Sequence, residues 1–131
     1  MQQPHFRKRK HEAGQLLDAR FLGLDDKKLL SLLRSVVAEF TPFAHDGYEY
    51  SNFRLHVDKY APVDWEATIY ADRHYKSDDR PSASVTPLDI STISVRRRRG
   101  DALIEINYAY CPQLAQALAD RLRTEYPPKS A

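Results

Sequence analysis

The sequence predicts an α+β fold: a four-stranded antiparallel meander sheet, with amphipathic helices at the N- and C-terminal ends packed on one face. Three observations carry that expectation. Two segments repeat apolar residues at helical spacing. Four segments are strand candidates, most of them alternating apolar and polar residues. Prolines and turn residues separate them. A chain of 131 residues, 42% hydrophobic and 29% charged, has the size and composition of one domain with its own core. The expected organisation is a basic tail over residues 1–14, a domain over 15–128 and a short tail over 129–131.

Leu16, Leu17, Ala19 and Phe21 are candidates to pack on the core from a short N-terminal helix, although Gly14 and Gly23 weaken its ends. The first secure helix spans about 25–40. Asp25 is a good N-cap, and Leu29, Leu33, Val36 and Phe40 fall on one face. Pro42 disfavours helical geometry at Thr41 and ends the helix, leaving a loop over 41–49. A strand over about 50–58 alternates Phe53, Leu55 and Val57 with polar residues. A second, over 63–72, does so with Trp65, Ala67, Ile69 and Ala71. Residues 73–87 read as a long polar loop. Strands over 88–99 and 102–110 follow, with Gly100–Asp101 as the expected two-residue turn. That turn sets Arg97 opposite Ile104 and Arg96 opposite Glu105. The last helix runs from Pro112 to Tyr126.

Charge is unevenly spread. The net charge is +2, but Arg7, Lys8, Arg9 and Lys10 form one basic run and Arg96, Arg97, Arg98 and Arg99 another. Without these eight, 12 basic residues stand against 18 acidic, a net of −6. An acidic body with two basic segments suits contact with a phosphate backbone. Strand alternation splits the second run between the two faces of the sheet, which makes a charged fingertip and not a flat patch.

Catalytic signatures are sparse. Cys111 is the lone cysteine; it precedes a helix, with no base or oxyanion site implied near it. His56-x-Asp58 and Asp72-x-His74 resemble a metal cluster, but a register near Val57 opposite Trp65 or Ala67 separates the histidines by about 20–27 Å. Zinc ligands lie within about 2.3 Å of the ion. His56 is expected beside Glu66 or Thr68. The chain carries no phosphate-binding glycine loop, so neither a cofactor nor a metal is expected. No apolar run reaches membrane-spanning length and the N-terminus does not read as a secretory signal, so the cytoplasm is the expected location.

Three functions from different classes follow. The first is a small non-catalytic interaction or assembly module, meeting another protein or itself as a homo-oligomer. Arg54, His56 and Tyr70 are its candidate interface residues. The second is a nucleic-acid binder using the basic tail and the Arg96–Arg99 tip. The third is an enzyme or small-ligand binder with a pocket between sheet and helix, lined by Trp65 and Tyr108.

Overall fold

A computed structural model describes residues 13–59, 64–75, 85–99 and 101–126, without the side chain of Arg98. The expected basic run at 7–10, most of the 73–87 loop and the terminal prolines lie outside the described residues. The elements in chain order are β1 (Gly14–Leu22), α1 (Asp26–Glu39), β2 (Phe43–His45), β3 (Tyr48–Asp58), β4 (Trp65–Tyr75), β5 (Thr86–Arg98), β6 (Asp101–Tyr108) and α2 (Gln113–Glu125).

The expected four-stranded meander is replaced by a six-stranded antiparallel sheet of order β1-β6-β5-β4-β3-β2, curled into a half-barrel with two helices. The α+β antiparallel character holds; the strand number and the N-terminal helix do not. Residues 14–22 form a strand because Leu17, Ala19 and Phe21 alternate with Asp18, Arg20 and Leu22 and pair with β6. A bulge between Gln15 and Leu17 places Leu16 beside Leu17 and breaks the visible alternation. The expected 41–49 loop contains β2. Asp46 (φ 54°) and Gly47 (φ 84°) make a two-residue turn that returns the chain from His45 to Tyr48. Phe43 stacks on Tyr50 at 5.5 Å and on Phe53 at 5.8 Å, with Phe40 edge-on at 5.5 Å, so the short strand is held by its aromatic ring.

Both helices bury their apolar stripes in the common core. Asp25 caps α1, accepting a hydrogen bond from the Lys28 N–H at 2.8 Å. Leu29, Leu33 and Val36 of α1 and Leu114, Leu118 and Leu122 of α2 are buried with Ile69, Ile93, Ile104 and Ile106 from the sheet. Apolar area removed from water is the main stabilising contribution here.

The β3–β4 register places Val57 opposite Ala67 and His56 opposite Thr68, as expected. A bulge then puts Asn52 and Phe53 against Ala71 and shifts the pairing, so His74 meets Glu49 with Nε2 2.9 Å from Oε1. The β5–β6 register differs from expectation by two residues. Arg98 pairs with Asp101, leaving Arg99 and Gly100 between the strands, with Arg99 at φ 43°. Asp101 stays in the ladder because β1 claims it: Leu22 is its partner, and Arg20 Nε lies 3.3 Å from its carboxylate. A slip of two keeps every side chain on its expected face. It sets Arg96 opposite Leu103 and gives Glu105 to Ser94.

Candidate functional site

β1 is the end strand of the sheet, paired with β6 on one side only among the described residues. The other end strand, β2, has three residues; β1 has nine. Hairpin geometry fixes where the backbone groups of β1 point. In a two-residue hairpin the residues flanking the turn form a hydrogen-bonded pair, and such pairs alternate along the ladder. Arg98 and Asp101 are that pair, so Asp101, Leu103 and Glu105 direct N–H and C=O toward β5. Ala102, Ile104 and Ile106 therefore direct theirs toward β1, where they meet Phe21, Ala19 and Leu17. Alternating with these, Asp18, Arg20 and Leu22 aim N–H and C=O away from the sheet. At the bulge the Leu16 carbonyl accepts a hydrogen bond from Arg123 of α2 at 3.0 Å. Asp18 and Arg20 are exposed on the outer face, and Leu22 keeps 56% of its surface in water.

The fingertip arginines are partly engaged within the chain. Arg97 donates from Nε to Asp26 Oδ1 at 3.0 Å, from Nη2 to the same oxygen, and from Nη1 to the Leu24 carbonyl. Its backbone N–H donates to Asp64. Burial pushes the Asp26 carboxyl up, but the Trp65 indole N–H and the Arg97 guanidinium pull it down by more, so its pKa lies below the ordinary carboxylate value. Arg97 thereby ties the β5–β6 hairpin to the start of α1. Arg96 and Arg99 remain exposed.

Arg54, His56 and Tyr70 sit on the outer face. Arg54 donates to the Asn52 carbonyl at 2.8 Å and pairs with Asp72 at 3.1 Å. Asn52 Nδ2 also donates to Asp72 at 2.8 Å. That hydrogen bond, with Arg54 assisting and burial opposing, lowers the Asp72 pKa. Asn52 holds φ 56°, a left-handed conformation that asparagine tolerates better than most residues. His56 lies 3.1 Å from Asp58 on its own strand. The three expected interface residues thus share a face: Arg54 and Tyr70 sit directly opposite each other, and His56 is turned toward Asp58.

Tyrosines gather on the opposite face, where Arg73 lies over the Tyr48 ring at 4.2 Å and near the Tyr110 ring at 5.2 Å. Tyr48 and Tyr75 stack at 4.7 Å. Hydrogen bonding with Tyr75 raises the Tyr48 pKa, and burial raises that of Tyr50. The expected Trp65 and Tyr108 pocket lining is used otherwise. Trp65 is buried in the core, and Tyr108 lies over Gly14, where a Cβ would meet its hydroxyl at 2.8 Å. Cys111 is buried. Among the described residues, no group of three His, Cys, Asp or Glu is placed to hold a metal ion, and no helix is long and apolar enough to cross a membrane.

Sequence reasoning missed the open edge, because it assigned residues 14–22 to a helix. Its signal was Asp18-x-Arg20, two opposite charges on one face of an alternating run. No protein-family model, no curated protein and no solved structure matches this chain.

Proposed function

We propose that the protein is a small non-catalytic interaction module that joins its partner by strand addition at β1. The supporting observation is the direction of the β1 backbone: Asp18, Arg20 and Leu22 aim N–H and C=O out of a six-stranded sheet. An extended chain laid along such an edge gains main-chain hydrogen bonds, with side chains supplying selectivity. Edge strands that must avoid contact are usually short, charged or bulged. The short β2 fits that description. β1 is long, its bulge lies at one end, and its two charges have opposite sign, so they admit a partner strand in a chosen register.

The test is Asp18→Pro. Proline removes an outward N–H and leaves the ladder to β6 intact, since Asp18 does not bond toward β6. The native chain, followed by size in extract of its own cells, is expected above the mass of a monomer. Asp18→Pro is expected at monomer mass with unchanged circular dichroism. A native chain that runs as a monomer both in extract and when purified overturns the reading.

A further inference from the structure

From the charge order along β1 we infer that its partner strand is β1 of a second copy, running antiparallel across a twofold axis at Ala19. The inference rests on β1 being the contact edge, and it adds the identity and register of the partner. Outward-pointing residues must meet outward-pointing residues, so even-numbered positions of β1 pair with even-numbered positions of its mate. Of the registers that satisfy that condition, the three centred on Asp18, Ala19 and Arg20 set one charged residue against another. One sets Asp18 against Asp18 of the second copy. Another sets Arg20 against Arg20. Like charges directly opposite each other are destabilising. The third sets Asp18 against Arg20 and, by symmetry, Arg20 against Asp18, giving two opposite-charge pairs on the exposed outer face.

That third register has consistent consequences on both faces. Asp18 and Arg20 become hydrogen-bonded pairs, each exchanging two N–H···O bonds with its opposite number. Ala19 faces Ala19 across the axis, with no bulk to separate the strands. Leu17 and Phe21, both buried on the core face, come opposite each other and extend that face across the junction. Arg20 already lies 3.3 Å from Asp101, so its guanidinium would sit between its own Asp101 and the second copy's strand. The symmetric contact is isologous and closes on itself, so it stops at a dimer with a continuous sheet.

The experiment combines mass and cross-linking on the full chain. Light scattering of the purified protein is expected to give about twice 15.2 kDa, reverting to monomer on dilution. Asp18→Arg sets arginine against Arg20 in both pairs and is expected to weaken the dimer about tenfold or more. Arg20→Glu sets two carboxylates together with the same effect. Mixed in equal amounts, the two variants restore complementary pairs and are expected to form a heterodimer. Ala19→Cys tests the register without charge changes. At a non-hydrogen-bonded antiparallel pair the Cα atoms lie about 4.5 Å apart, within disulfide range. It is expected to cross-link under mild oxidant, whereas Asp18→Cys and the native chain, whose Cys111 is buried, do not.

A purified chain that stays at 15.2 kDa at every concentration overturns the inference, as does cross-linking of Asp18→Cys in preference to Ala19→Cys. If the purified chain is monomeric while a larger assembly in extract is lost with Asp18→Pro, strand addition stands and the partner is a different protein.

Discussion

At the scale of single residues, Arg97 shows how local context decides what a charge does. In the sequence it is one of four consecutive arginines. In the fold it is bound to Asp26, to the Leu24 carbonyl and, through its backbone, to Asp64. Three contacts on one side chain and its amide make it a strut between a hairpin and a helix start. The Asp26 pKa is lowered on folding, so its ionised form stabilises the native state. That contribution is fully present above the unfolded carboxylate value of about 3.9, and is lost as pH falls from there through the lower folded value. Asp26→Asn is therefore expected to be less stable than the native chain at pH 7, by about 0.5–1.5 kcal/mol. The carboxylate is 49% exposed, which screens the pair and keeps the figure small. Urea unfolding at a series of pH values checks this. The two proteins should converge as the pH drops, and a difference that stays constant with pH would assign the loss to geometry instead of charge.

At the scale of elements, the bulges did most to hide the fold from the sequence. Both helices, the β3–β4 register at Val57 and the apolar faces of the later strands were legible, because each rests on periodicity within a few residues. β1 was not. Leu16 and Leu17 stand side by side, a pairing more familiar from a helix face than from a strand, and its partner β6 begins at Asp101, far along the chain. β2 was missed because three residues are too few to show alternation, although Asp46-Gly47 was a hairpin signal in plain view. Gly100–Asp101 was taken as a turn because nothing local shows that Asp101 has a partner in β1. That Arg54, His56 and Tyr70 share one face of the sheet was legible from strand alternation, and the open edge was not. The Asn52 bulge offers a test at this scale. Asn52 combines a left-handed φ of 56° with a hydrogen bond to Asp72. Asn52→Ala loses the bond and strains the backbone, for a cost of about 1–2 kcal/mol. Asn52→Gly loses the bond but relieves the backbone, so it should cost less. Urea midpoints in the order native, glycine, alanine are expected. The reverse order for the two variants would mean that the residue can leave the left-handed region at little cost.

At the scale of the whole molecule, the sheet is asymmetric. One end finishes in three residues, held where Phe43 packs on Phe40, Tyr50 and Phe53; the other finishes in nine, of which Asp18, Arg20 and Leu22 aim backbone groups outward. The first end is held by its own aromatic packing, whereas at the second Leu17 and Phe21 are buried in the core and, among the described residues, no strand pairs with the outer side of β1. A second copy pairing there would stabilise the folded state and not the unfolded one, which makes stability depend on protein concentration. The size of the effect follows from mass action. When the protein is mostly dimer, a tenfold rise in concentration adds about 1.4 kcal/mol per dimer, or about 0.7 per chain. For a domain of this length that corresponds to a rise in Tm of about 2–3 °C per tenfold. Asp18→Pro removes an N–H from the centre of the proposed ladder while leaving β1 bonded to β6, so its Tm should be lower and flat with concentration. Calorimetry across two decades of concentration measures both slopes together. Equal slopes for the two proteins would place any self-association elsewhere than on β1. A flat line for both would leave the long edge facing water, with its charges serving only to keep other strands away.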